Sequence, residues 1–200
     1  MLNAVPGIAR RFEAVAFDLD GTLVDSALDF AAIRREIGCP SGLGLLEFIA
    51  SLQDAEAEAE AHAIVHRFEM VGAASARWMP GARELLQILR ERSVPVAILT
   101  RNSRHAVEET DRVLGLGIDL VVTREDGPPK PDPAGLLSIA SKLDVAPDKM
   151  TYVGDFVDDL TAAKGAGMLA GLYRNAKNER YADQADYVIH HFDELRLLWD

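Results

Sequence analysis

Short apolar runs alternate with helix-length segments along most of this 200-residue chain, and that alternation restricts the fold more than any other feature. The runs fall at residues 14–17, 94–99, 120–122, 150–153 and 168–172, with a weaker sixth at 187–189. Between most of them lie segments of helical length, at 82–92, 103–114, 134–143 and 158–166. Strand–helix alternation predicts an α/β chain with a parallel sheet covered by helices on both faces. The run at 94–99 is almost wholly apolar, as a strand covered on both sides requires.

One stretch breaks the alternation. Residues 26–79 hold no strand-like run and read as two or three helices, one of them rich in Ala and Glu over 54–70. Cys39-Pro40-Ser41-Gly42 marks a break within it. The expected organisation is therefore a core from 1–25 and 80–200, with 26–79 inserted just after the first strand.

The formal charge of −11 argues against nucleic acid or an anionic membrane surface as partner, since both favour basic patches. An anionic substrate would then need its positive charge supplied locally. Cys39 is the single cysteine, which fits a reducing compartment and allows no internal disulfide. Residues 1–12 show no apolar leader, and no apolar run nears the length of a membrane span. The expectation is a cytoplasmic protein; oligomeric state stays open.

In open parallel sheets, ligands bind beyond the carboxyl ends of the strands. Polar groups collect at such ends here. Asp18 and Asp20 follow the first run, Thr100-Arg101-Asn102 the second, and Lys130, in Gly127-Pro128-Pro129-Lys130-Pro131, comes after the third. Gly154-Asp155 follows the fourth, with Asp158 and Asp159 close behind. Together these put several carboxylates, a hydroxyl and an ammonium at one sheet edge. That set suits phosphoryl transfer. A carboxylate can attack phosphorus, a second carboxylic acid can protonate the leaving oxygen, and a divalent cation takes oxygen ligands. Lysine and hydroxyl groups can hold the charged equatorial oxygens.

Asp18-Leu19-Asp20-Gly21-Thr22, with Thr100, Lys130 and Gly154-Asp155-Phe156-Val157-Asp158-Asp159, resembles the four motifs of the haloacid dehalogenase superfamily, in order and in strand-end position. Met79-Pro80-Gly81, Lys130-Pro131-Asp132-Pro133 and Ala163-Lys164-Gly165-Ala166-Gly167-Met168 resemble its branch that includes phosphoglycolate phosphatases. The resemblance implies a Rossmann-like core with a small helical cap at 26–79, short for its kind. It implies a magnesium-dependent phosphatase that hydrolyses a small phosphorylated metabolite through an aspartyl-phosphate. Asp18 would be nucleophile and metal ligand, and Asp20 general acid and base as well as a ligand through its backbone carbonyl. Thr100, Asn102 and Lys130 would bind phosphate, Asp155 would bind Mg2+, and Asp159 would support it from outside the ligand set.

Other readings stand beside these. Asp-Gly is a common turn pair, Thr100 could cap the following helix, Lys130 could be a loop lysine, and Asp155 to Asp159 could be first-turn helix acids. His62 and His66 read as a solvated helix face, His190-His191 as a strand end, and Arg34 and Arg35 as an exposed pair. Arg101 could face phosphate or solvent, and Asp158 has no assigned role. A dehalogenase of the resembled family would lack Asp20. A phosphomutase, a phospho-accepting module similar to response-regulator receivers and a catalytically silent binding protein remain alternatives.

Overall fold

The structure, a computed structural model, describes residues 12–198. Residues 1–11, which carry most of the segment read as lacking an apolar leader, and residues 199–200 lie outside that span. Six strands form one parallel sheet: β1 (Ala14–Phe17), β4 (Val96–Leu99), β5 (Leu120–Val122), β6 (Met150–Gly154), β7 (Leu169–Tyr173) and β8 (Tyr187–Ile189). Their order across the sheet is β5-β4-β1-β6-β7-β8, and every pair is parallel. The chain builds outward from β1 to β4 and β5, then crosses back to lay β6, β7 and β8 on the other side. The switch of direction therefore lies between β1 and β6.

Side chains in a strand alternate between faces, and β1 uses this to separate two cores. Val15 and Phe17 pack with α4 (Ala82–Glu91), α5 (Arg104–Leu114) and Phe192. Ala14 and Ala16 pack with α6 (Ala134–Leu143) and α7 (Val157–Gly165) on the other face. This is the doubly covered α/β architecture expected from the alternation.

Strand limits differ from the apolar runs for local reasons. Ladder pairing in the second run starts at Val96, because Val94 N still donates to Leu89 O at the end of α4 and Pro95 has no N–H. The fifth run starts at Leu169, because Met168 N closes onto Ala163 O across the left-handed Gly167.

Residues 26–79 are largely helical, as expected: α1 (Phe30–Ile37), α2 (Leu45–Ala50) and α3 (Ala55–Ala74). Asp29 and Asp54 cap the first and third by accepting from Ala32 N and Glu56 N. Ile33, Ile49, Ala61 and Val65 give this unit its own small core. The expectation that it holds no strand needs correction. Arg77–Trp78 (β3) pairs antiparallel with Val24–Asp25 (β2), so a two-stranded ribbon carries the chain out of the sheet and back. Two-residue strands leave no readable periodicity.

The insertion is also tied to the core from above. Helix α3 packs along α5. From it, Glu69 forms a buried ion pair with Arg124, which lies just past β5. Arg124 also donates to Arg101 O at 3.2 Å, and Ser103 N donates to Glu69 Oε2 at 3.4 Å. Removing one member of a buried pair strands the other charge. Arg124→Met alone should cost roughly 3 kcal/mol in denaturant unfolding, and Glu69→Leu with Arg124→Met should cost less than that. A double variant as unstable as the single one would contradict this.

Candidate active site

The expected residues converge at the carboxyl end of the sheet, where β1 and β6 meet at the switch point. Asp18 follows β1 and is buried. Lys130, on the loop before α6, is buried with it. Its Nζ lies 2.6 Å from Asp18 Oδ1, 2.6 Å from Asp159 Oδ1 and 3.0 Å from Tyr152 Oη. Burial alone would push the lysine down, but Asp159 and Asp18 outweigh it and hold the ammonium above its ordinary range. Carboxylate oxygens of Asp18, Asp155 and Asp159 lie within 4.8 Å of one another.

Two glycines make this crowding possible. Gly21 has φ +80°, and a Cβ there would come within 2.6 Å of Asp155 Oδ2. The carboxylate after β6 thus rests against the loop that follows β1. At Gly154 a Cβ would lie 2.2 Å from Asp159 Cγ, so only glycine admits that side chain. Asp159 is fully engaged: Oδ1 takes Lys130 and Oδ2 accepts Phe156 N at 2.9 Å, which also caps α7. The first-turn helix reading of Asp158 and Asp159 and the site reading therefore hold together.

Two buried carboxylates, Asp18 and Asp159, share one ammonium, and the half-buried Asp155 stands close to both. Burial, and then like charges offset by Lys130, raise the Asp18 carboxyl well above its usual range. Asp155 is pushed up to about 7 by burial and by Asp159, with Lys130 and Asn175 pulling it back. Asp20 is raised by burial, partly offset by Ser26 and Asn102. Its Oδ2 accepts from Asn102 Nδ2, and its Oδ1 is buried without a hydrogen-bond partner. The crowded carboxylate oxygens of Asp18, Asp155 and Asp159, with carboxyls that resist ionising, fit a hard divalent cation.

Thr100 directly follows β4 and is buried. It does not cap the next helix; Ser103 does, accepting from Ala106 N at 3.3 Å. Thr100 Oγ1 instead accepts Asn102 N at 3.1 Å, leaving its proton to donate. Arg101 is partly exposed and pairs with Asp158 and Glu47. His62 lies beside Glu58 on the exposed flank of α3, and His66 meets His105 edge to face.

Sequence reasoning missed three supporting residues. Tyr152 hydroxyl lies 2.9 Å from Leu99 O and 3.1 Å from Asp159 Oδ1, bracing Lys130. A tyrosine inside a doubly covered strand needs a partner for its hydroxyl, and that was the available signal. Asn175 Nδ2 donates to Asp155 Oδ2 at 3.2 Å, and Asn178 Nδ2 to Asp155 O at 2.7 Å. Both follow β7, so the strand-end rule applied to one more strand would have found them.

The family model for haloacid dehalogenase-like hydrolases matches residues 12–167. An uncharacterised hydrolase of Saccharomyces cerevisiae is 35% identical over 186 residues, covering 88% of this chain and 84% of its own. The phosphoglycolate phosphatase of Chromobacterium violaceum is 31% identical over 187 residues, covering 80% and 84%. The crystal structure of a Lactobacillus plantarum protein described as a phosphoglycolate phosphatase superposes with a TM-score of 0.71 at 24% identity, covering 94% of this chain and 99% of that one. The chain belongs to the haloacid dehalogenase-like hydrolases, an enzyme of their phosphoglycolate phosphatase-like branch.

Without Lys130 the buried carboxylates must protonate or separate. Lys130→Met should lose roughly 3 kcal/mol near pH 8 and less near pH 5, where protons replace the ammonium, in thermal or denaturant melts of metal-free protein. An equal loss at both pH values would contradict the electrostatic account.

Proposed function

We propose that this protein is a magnesium-dependent phosphatase that hydrolyses a small phosphorylated metabolite through an aspartyl-phosphate on Asp18. The observation that carries the reading is the Asp18 carboxylate held 2.6 Å from the buried Lys130 ammonium, two residues before a second buried carboxyl with an unpartnered oxygen. Similarity to a phosphoglycolate phosphatase supports it.

In this reading an Asp18 oxygen attacks phosphorus while the bond to the leaving oxygen breaks. Asp20, its carboxyl raised by burial, gives its proton to that oxygen. The resulting carboxylate then takes a proton from water as the water attacks the acyl phosphate. Asp18 is released with inorganic phosphate. Lys130 and the Thr100 hydroxyl stabilise the equatorial oxygens; Asn102 orients Asp20 with one amide hydrogen and offers the other to the phosphoryl group. Asp18 and Asp155, with the Asp20 backbone carbonyl, would hold Mg2+, and Asp159 would support them through Lys130. The bound ion neutralises phosphoryl charge and polarises the phosphorus–oxygen bonds. The helical unit at 26–79 acts as a cap over this edge. No described helix is long and apolar enough to cross a membrane, and the net charge favours no nucleic-acid partner.

Wild type should release inorganic phosphate from phosphomonoesters with Mg2+, and Asp18→Asn should reduce turnover by about a thousandfold or more. Absence of turnover across a broad panel of esters would sink the reading, and transfer to a phosphorylated isomer without phosphate release would indicate a mutase. Asp20→Ala should lose turnover while keeping Mg2+ affinity within about threefold, because its carboxylate is not a ligand here. Parallel loss of both would refute its acid–base role.

Metal binding should also be linked to pH. Between the ordinary aspartate value and about 7 the folded chain holds a proton on Asp155 that the unfolded chain has lost. The contribution of this group to stability therefore falls as pH rises through that window. A cation displaces that proton, so Mg2+ should bind more tightly at pH 8 than at pH 5.5, and its melting-temperature gain should grow with pH. A gain independent of pH would argue against Asp155 as ligand.

A further inference from the structure

The Arg101 guanidinium joins the helical insertion to the core beside the Lys130 backbone. Its Nη1 donates to Asp158 Oδ2 at 3.0 Å and to Lys130 O at 3.3 Å, both in the core. Its Nη2 is taken by Glu47 Oε1 from the helical insertion. We propose that Arg101 is a second anion subsite, for an anionic group carried on the same small phosphomonoester, and that Glu47 is its displaceable occupant. The proposal rests on the phosphatase reading and specifies the substrate class.

Position comes first. Arg101 directly follows Thr100 and touches the backbone of Lys130, whose ammonium meets Asp18. An anion seated on Arg101 is therefore a short molecule's length from a phosphoryl group on Asp18. The two sides of the guanidinium are also unequal. Asp158 stands in the first turn of α7, and its side chain is 26% exposed; Glu47 lies on a six-residue helix and is 43% exposed. When Glu47 leaves it regains water, and Arg101 stays aimed by its two core partners. Charge favours exchange rather than addition. One cation already faces two carboxylates, so a monoanion enters without adding negative charge only if Glu47 departs. Arginine's planar fork accepts a carboxylate or a phosphate equally well, so either fits.

Gly44 offers a way to move Glu47 without removing its charge. A Cβ at Gly44 would lie 1.8 Å from Glu47 Oε2, and the backbone there, at φ −64°, accepts alanine. Gly44→Ala therefore pushes the carboxylate from its present place.

The test compares kcat/KM for a phosphorylated hydroxy acid, a short bisphosphate and an uncharged-tail phosphomonoester of equal length. The readout is the ratio of each anionic-tail ester to the uncharged one, in variants whose circular dichroism and melting confirm folding. Arg101→Gln should lower that ratio by about tenfold or more, since a charged hydrogen bond is lost. Glu47→Gln and Gly44→Ala should raise it by about threefold or more, through KM, because the competing occupant is gone. Whichever anionic tail responds identifies the group as carboxylate or phosphate. Ratios that fall in all three variants, or do not move, would mean that the pair only clasps insertion to core, and the subsite would be refuted. Calorimetric binding of the same esters to the Asp18→Asn chain reads the subsite without turnover. That pattern of affinities in an inert wild type would refute the phosphatase reading and leave the subsite standing.

Discussion

The ammonium of Lys130, buried between Asp18 and Asp159, is the interaction on which the site depends. It joins a loop before α6, the end of β1 and the first turn of α7 in one place. Its surroundings follow from it. Tyr152 presents its hydroxyl to the same nitrogen, and Gly154 must lack a Cβ for Asp159 to reach it. Yet one ammonium is too little charge. With Asp155 also in the cluster and pushed up to about 7, the site keeps an unmet demand for positive charge. That demand suits a divalent cation, which would supply the local positive charge that an anionic substrate needs on a chain of net charge −11.

Two ion pairs hold the helical insertion to the sheet, and they differ in kind. Glu69 is buried and Arg124 nearly so, with side chains 6% and 14% exposed, and Arg124 also braces the backbone at Arg101. Glu47 and Arg101 lie at the rim, where water competes and exchange is inexpensive. The first pair fixes α3 over α5 while the second can part locally, so the mouth of the site can change occupant while the long helix keeps its seat.

Much of the site was legible because strand-end position is written in the sequence. Asp18, Thr100, Lys130 and Asp155 each follow an apolar run, and each stands where that rule puts it. The supporting residues were harder to read. Tyr152 lies inside an apolar run and looks like core until its hydroxyl is accounted for. Asn175 and Asn178 follow β7 and Arg174, where neutral amides look like ordinary loop residues unless the strand-end rule is carried to that strand too. Glu47, Glu69 and Arg124 act across the junction between insertion and core, and no local pattern reports a partner 54 or 55 residues away. The β2–β3 ribbon was invisible for a simpler reason: two residues do not establish a period.

The sequence by itself determined the class of fold and the inventory of reactive groups, because both depend on local properties: hydrophobic periodicity and the polar residues that end each run. It could not determine the order of the strands. Only the tertiary structure put β1 between β4 and β6, at the point where the chain reverses direction across the sheet. Strand order is settled by which apolar faces pack together over long separations, and the convergence of Asp18, Asp155 and Lys130 is a consequence of that packing rather than of any single motif.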